Sequence, residues 1–328
     1  MVKIQASVII PNWNGKHLLK ICLPSLKKQS FKKSEVIIVD NGSTDGSVEY
    51  IQKYYSEFKI IRLPKNIGFA PAVNLGIKQA KGKFLVLINN DTKVDRRCIE
   101  CLVKAANKHP EVGMVAAKML QFHNPSIINS AGDYIDVVGH ANSIGLGKKD
   151  NPEYAKAGYV FLVTGGGSLF KRHMLKRVGL FDNSYFAYME DVDLCFRAQL
   201  AGFKGWYEPK AVIYHIHKAT SSKNPKLLEY LQFRNMVMTV IKNFPPALLK
   251  KDFNWLRILL VNLNTVRFLA SQGFFQSALK AEIYILFHLP SLLKRRQEVQ
   301  ALKKVTDEYI IGNVRQKRLK IPLVNIRI

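Results

Sequence analysis

The order of elements in the opening 120 residues constrains the fold most. Short β-branched runs at 6–10, 36–39, 59–62, 84–88 and 112–116 alternate with helical stretches at 16–29, 47–57, 70–80 and 96–108. The runs ASVII, VIIV and FLVLI are apolar without alternation, the pattern of strands buried on both faces. Strand–helix alternation with such strands predicts a parallel, Rossmann-like sheet covered by helices on both sides. Ligands bind such sheets beyond the carboxyl ends of the strands, so chemistry is expected in the loops there.

Three of those loops are polar: Pro11-Asn12-Trp13-Asn14-Gly15, the segment from Asp40 to Asp45, and Asn89-Asn90-Asp91-Thr92. One such loop alone is ordinary turn chemistry; three at one sheet edge predict a site. Residues 120–160 are rich in Gly, Asn and Ser and read as an irregular excursion. An extended run at 159–164, the glycines Gly165, Gly166 and Gly167, and a short helix from near Lys171 follow. Next come a helix within 181–203 carrying Glu190, Asp191 and Asp193 at its start, and a last strand at 211–217. The triple glycine lacks the Lys-Ser/Thr of a phosphate loop and is read as a place where substrate approaches the backbone closely.

The net charge of +26, from 50 Lys+Arg against 24 Asp+Glu, predicts an anionic partner. It is unevenly spread: residues 218–328 carry 20 basic and 6 acidic side chains, whereas 1–217 carry 30 and 18. Helical stretches at 226–243, 253–270 and 274–293 mix leucines with Arg and Lys. They are read either as helices packing or self-associating on the domain, or as a pair lying in an anionic membrane interface. No run is long enough to span a bilayer, the N-terminus does not read as a signal peptide, and four cysteines do not make a disulfide scaffold. A reducing cytosol is the expected compartment. Cys98 and Cys101 lack further ligands for zinc and are read as ordinary helix residues. No nucleic-acid-binding module is recognised.

The candidate chemical residues follow from type and place. Carboxylates at a helix start can be simple capping, but Phe186, Tyr188 and Met189 precede Glu190 and Asp191, and a carboxylate desolvated by aromatics is suited to removing a proton. Asp91, with Asn89 and Asn90, offers oxygen ligands for Mg²⁺ or Mn²⁺, and His215 an imidazole.

In order, VIIPNWNG, VIIVDNGSTDGS, NIGFAPAVNLGIKQAKGKFLVLINNDT, GGGSLFKR, VGLFDNSYFAYMEDVDLCFRAQLAGF and AVIYHIHKAT resemble the inverting family 2 glycosyltransferases of GT-A fold, above all the bacterial rhamnosyltransferase-like branch. The resemblance spans about residues 5–243, including LQFRN near Arg234. It implies a mixed, mainly parallel sheet as catalytic domain over 1–220, with a basic helical region over 221–328. It also implies that Pro11, Asn12, Trp13, Asp40, Asn66, Gly68, Asn74 and Asn90 bind the nucleotide sugar. Asp91, Asn89 and His215 would hold a divalent metal, Mg²⁺ or Mn²⁺. Asp191 would be the catalytic base, and Gly166, Gly167, Tyr188 and Glu190 would lie near the donor sugar and acceptor. Asn89 stands where the family has Asp, so this site has one formal charge fewer.

The expected partners are a nucleotide-sugar donor, with dTDP-L-rhamnose favoured, and a saccharide or lipid-linked acceptor at the cytoplasmic face of the membrane. A sugar nucleotidyltransferase and a non-enzymatic basic membrane or nucleic-acid binder are the alternatives. The first lacks its Gly-rich basic signature after the first strand, and the second rests on charge alone.

Overall fold

The computed structural model describes residues 3–216 and 224–315. In the first half β1 (Ala6–Asn12), β2 (Ser34–Asp40), β3 (Lys59–Arg62) and β4 (Phe84–Ile88) alternate with α1 (Lys16–Lys27), α2 (Ser47–Tyr54) and α3 (Phe69–Gln79). After them come β5 (Thr92–Val94), α4 (Cys98–Lys108) and β6 (Val112–Gln121). The continuous apolar runs sit as their pattern requires. In β1, Val8 and Ile10 bury into one hydrophobic cluster and Ile9 into the other; in β4, Val86 and Ile88 oppose Leu85 and Leu87. Each full burial of such a side chain contributes roughly 1.5–3 kcal/mol, which holds the helices on both faces.

The excursion expected at 120–160 contains the short strands β7 (Ile128–Ser130), β8 (Asp133–Ile135) and β9 (Ala141–Ser143) and ends in a fourth. The chain then forms β10 (Gly158–Val160), β11 (Gly167–Lys171), α5 (Arg172–Val178), α6 (Glu190–Leu200) and β12 (Lys204–His215). The main sheet runs β10-β12-β6-β11-β4-β1-β2-β3. Strand β11 inserts antiparallel between β4 and β6, so the sheet is mixed and mainly parallel. Strand order across the β11 insertion was not readable from apolar runs, since buried parallel and antiparallel strands share one pattern.

One boundary differs from expectation. The last strand starts at Lys204, because the polar stretch KGWYEPK pairs with β6 before a register shift between Glu208 and Val212. The helix within 181–203 begins at Glu190, with the acidic cluster in its first turn as expected. The backbone before it is held elsewhere, and Phe186, Tyr188 and Met189 adopt positive φ of 64°, 68° and 67°. Bulky residues in that region store strain and persist only where their surroundings impose it.

The second half is helical: α7 (Pro225–Asn243), α8 (Pro246–Lys250), α9 (Asn254–Ser271), α10 (Phe275–Ala301) and α11 (Asp307–Asn313). His217 and the expected boundary at 220–221 lie outside the described residues. Helix α7 fastens the strained loop. Arg234 donates to the carbonyls of Ser184 and Tyr185, and Asn235 donates to those of Tyr185, Ala187 and Tyr188. From α10, Arg295 bonds Asp182 and the Ser184 hydroxyl. Cys98 and Cys101 are buried free thiols of α4. Among the described residues no helix is long and apolar enough to cross a membrane.

Candidate active site

Strand register brings the three polar loops together. Asn12 lies beside Asp40 because β1 and β2 pair in parallel, and its amide donates to the Asp40 carboxylate at 3.1 Å. The Asn12 carbonyl accepts from the Asn90 amide at 2.7 Å, so one buried side chain ties the ends of β1, β2 and β4. Asp40 also accepts from the Ser43 backbone N–H. Trp13 stands 40% exposed at the rim, next to Pro11 and Asn12. Asn12 thus braces Asp40 and Asn90 instead of presenting a free amide.

Asn74 is a second brace. Its amide donates to the Phe181 carbonyl and to Asn183, and its carbonyl accepts the Phe181 N–H. It is buried, and it holds the loop before α6. Asn66 shapes the turn into α3 by accepting from the Asn41 amide and the Gly68 N–H. Gly68, at φ +99°, abuts the strained loop: a Cβ there would lie 2.6 Å from the Phe186 ring. Only glycine fits both the dihedral and the contact.

The antiparallel pairing of β12 with β5 sets His215 opposite Thr92, and so beside Asp91. His215 Nε2 lies 3.4 Å from Asp91 Oδ2, while Nδ1 is 2.6 Å from the Asn129 carbonyl oxygen, which orients the ring. Asp91 Oδ1 is buried with no hydrogen-bond partner among the described residues. An orphaned buried carboxylate oxygen beside an imidazole fits a hard divalent cation. Asn89 packs over the glycine run, where a Cβ at Gly166 would lie 2.5 Å from its amide nitrogen. Gly167 pairs with Ile88 in the sheet. The described residues hold no group of three or more His, Cys, Asp or Glu placed for a metal. Asp91 and His215 are the pair of expected metal ligands that the structure brings together.

Helix α6 carries the proposed base. Asp191 accepts the Gly165 N–H at 2.8 Å and its own neighbour Val192's N–H at 2.8 Å. Burial raises its carboxyl above the usual range, against the pull of those two bonds. Glu190 is more deeply buried, with Oε2 unpartnered among the described residues; burial and the Asp191 charge push it well up. The pair thus separates into a buried Glu190, whose carboxyl is pushed up the more strongly, and an Asp191 open to the cleft. Asp193, two positions on, faces inward instead. Burial opposes its charge, but Lys242 and Arg197 beside it hold its carboxyl far below the usual range.

Asp191 and Tyr188 open onto a cleft of about 610 Å³. Its other walls come from Asp133 and residues 139–143 of the excursion, from α7 and from α9. Asp133 accepts from the Ser130 hydroxyl; burial first, then the Asp191 charge, raises it to about 7. Asp133, Asn129, Asn235 and Lys242 were not singled out in the sequence. Only Asn235 carried a signal, its place directly after Arg234.

The family model for glycosyl transferase family 2 matches residues 7–179. The poly-β-1,6-N-acetyl-D-glucosamine synthase of Staphylococcus epidermidis is 28% identical over 63% of this chain and 49% of its own. The Staphylococcus aureus (strain COL) enzyme of that name is also 28% identical, over 62% of this chain and 47% of its own. The chain spans about half the length of these curated relatives. Among solved structures, GalNAc-T7 with UDP, GalNAc and Mn²⁺ aligns at TM-score 0.60 and 18% identity, covering 73% of this chain and 48% of that one. S. aureus TarS 1-349 aligns at 0.54 and 18%, covering 94% and 92%. These likenesses, with the mixed sheet, show the GT-A fold. With its family model matching more than half of its length, the chain belongs to glycosyl transferase family 2.

Proposed function

We propose that this chain is an inverting glycosyltransferase that moves a sugar from a nucleotide donor to a saccharide acceptor in cell-surface polysaccharide synthesis. The observation that carries the reading is Asp191. It is a carboxylate held by two backbone N–H groups at a cleft, with its proton affinity raised by burial. Asp191 takes the acceptor hydroxyl's proton as that oxygen attacks the anomeric carbon from the face opposite the leaving diphosphate. One base suffices, so configuration inverts; the carboxylate pair of a retaining hydrolase has no role.

Asp40, which Asn12 braces, and the exposed Trp13 would receive the nucleotide. Asp91, His215 and Asn89 would hold a divalent ion, Mg²⁺ or Mn²⁺, with the donor diphosphate completing its shell. The ion would neutralise charge on the leaving group. Relatives named as polymer synthases support a saccharide acceptor. For the donor we favour dTDP-L-rhamnose on motif likeness. A thermal-shift panel of UDP-, dTDP- and GDP-sugars with Mn²⁺ tests this: one donor should raise Tm and be turned over. Stabilisation by a nucleoside triphosphate with sugar phosphate, releasing pyrophosphate, would favour the nucleotidyltransferase alternative.

The second part of the proposal concerns place. Helices α9 and α10 expose Trp255, Leu259, Leu260, Leu263, Leu286 and Phe287, the last at 81%. An apolar face this large marks an interaction surface, and its surplus of Lys and Arg suits an anionic bilayer. We place the enzyme peripherally on the cytoplasmic face of the membrane, with residues 221–328 as the attached region; self-association is the competing use of the face. The double variant Leu286→Ser, Phe287→Ser is expected to bind phosphatidylglycerol vesicles about 10²-fold more weakly, from roughly 1.5–3 kcal/mol lost per side chain. Unchanged vesicle binding with a loss of dimer in sedimentation would assign the face to self-association.

A further inference from the structure

A second cavity, of about 460 Å³, lies at the edge of the sheet opposite the three polar loops. Lys171 ends β11 beside Phe84, the first residue of β4, whereas Gly167 pairs with Ile88 at the other end, next to Asn89. At about 3.3 Å per residue, β4 puts roughly 13 Å between the two ends. The cavity is lined by Lys83, Lys171, Arg172, His173 and Lys176, with no Asp or Glu in its walls.

Lys171 is the residue that most needs a partner. It is 6% exposed, as deeply buried as Lys118 and Lys242. Those two face aspartates, Lys118 pairing with Asp150 and Lys242 with Asp182 and Asp193. Among the described residues Lys171 forms no ion pair, and neither do Lys83, Arg172 and Lys176. The Lys171 ammonium donates to the carbonyls of His109 at 2.7 Å and Pro110 at 3.4 Å, two of its three protons. Arg172 donates from Nε to the Gly82 carbonyl and from Nη2 to that of Ala80, both at 2.8 Å. These carbonyls follow α3 and α4, where a helix end favours cations, so capping explains these bonds.

Capping does not explain why three more bases gather on the same cavity without an acid. Glu111 favours the Lys171 charge, but it accepts from the Tyr159 hydroxyl and lies 3.6 Å from His109. Burial outweighs it and lowers the Lys171 pKa, and the Lys83 charge adds to that effect. A buried cation without a counter-charge is costly. One carboxylate would neutralise a single charge here, whereas a phosphoryl group brings close to two and several acceptor oxygens. Those oxygens suit the spare guanidinium and ammonium protons, and the volume admits a ligand larger than phosphate itself.

We propose that this cavity is a second anion site, which takes a phosphoryl group at the edge of the sheet away from the nucleotide-sugar loops. Its source is either a soluble phosphate ester or a phospholipid headgroup. The site stands apart from Asp191 and does not depend on the reading of that residue.

The test uses the full chain in EDTA at roughly 0.15 M salt, where charges beyond about 8 Å are screened. Proton NMR follows the His173 imidazole, assigned by its loss in His173→Gln, as inorganic pyrophosphate is added. Burial first, then the Lys171 charge, holds the His173 pKa below its ordinary 6.5. Bound pyrophosphate should raise its titration midpoint by about one pH unit. The double variant Lys83→Glu, Lys176→Glu changes exposed positions and should weaken pyrophosphate about tenfold. Lys148→Glu, Lys149→Glu makes the same charge change near Ile127, beyond the far end of β6, and should alter binding less than about twofold. Lys171→Met should abolish the shift; should it fail to fold, the exposed pair carries the test.

A second arm titrates phosphatidylglycerol vesicles without pyrophosphate. A His173 shift that is lost in the Lys83, Lys176 variant supports the site and assigns a soluble phosphate ester. No shift, with vesicle binding weakened about tenfold by that variant and not by the Lys148, Lys149 control, supports the site and assigns a lipid headgroup. No shift, with vesicle binding changed equally by both variants or by neither, overturns the proposal. A His173 shift that survives in the Lys83, Lys176 variant overturns it as well.

Discussion

Replacing Asp191 by Asn is expected to lower sugar transfer by about 10²–10⁴-fold, the contribution of a positioned general base. Asp191 accepts the Gly165 and Val192 N–H groups on separate oxygens, so Asn keeps one of the two bonds and loses the other, and the start of α6 should still form. Donor binding, read by thermal shift with the nucleotide sugar, should stay within about threefold of wild type, since uniform binding does not depend on the base. Glu190→Gln is the matched control. Glu190 is buried and its carboxyl is pushed well up, toward the neutral form that Gln reproduces, so transfer should fall far less. A larger loss in Glu190→Gln than in Asp191→Asn would reverse the two assignments.

Lys242→Ala is expected to cost about 3–5 kcal/mol of stability, because it strips one partner from a buried charge network. The Lys242 ammonium is 2% exposed and sits 2.6 Å from Asp182 and 2.8 Å from Asp193, with Arg197 2.9 Å from Asp193 on the other side. At roughly 2–4 °C per kcal/mol for a domain of this size, Tm should drop by about 10 °C or more.

The network also fixes a pH dependence. The Asp193 carboxyl is held below its ordinary 3.8 in the folded protein, so its contribution is present above that value and lost as pH falls beneath it. Thermal unfolding between pH 3 and 6 should therefore steepen on the acid side in wild type. The slope should flatten in Asp193→Asn.

The parts of this structure that were legible in the sequence share a cause. Residues 84–88 appear as a strand at their expected bounds because a run buried on both faces has no polar residue to blur it; 59–62 also appear as expected, although their Lys and Arg ends are exposed. Asp91 and His215 were singled out as loop and strand-end residues, and the β5–β12 register brings them to 3.4 Å. What escaped depended on distant partners. Asn12 and Asn74, read as nucleotide-sugar contacts, also brace Asp40, Asn90 and the Phe181 backbone, and nothing local in the sequence shows that role. The acidic start of α6 was legible, but the strained aromatic approach before it was not, because that loop is pinned by Arg234 and Asn235, more than 40 residues away. Asp133 lay in a stretch without periodicity, and only folding turns it toward Asp191.

The central claim is that Asp191 serves a single displacement at the anomeric carbon of a nucleotide sugar. The most direct test is proton NMR of the first product formed by the wild-type chain from its donor, read through the anomeric coupling before any mutarotation. The account predicts a glycoside of inverted configuration together with free nucleoside diphosphate. A product that retains the donor's configuration would contradict it.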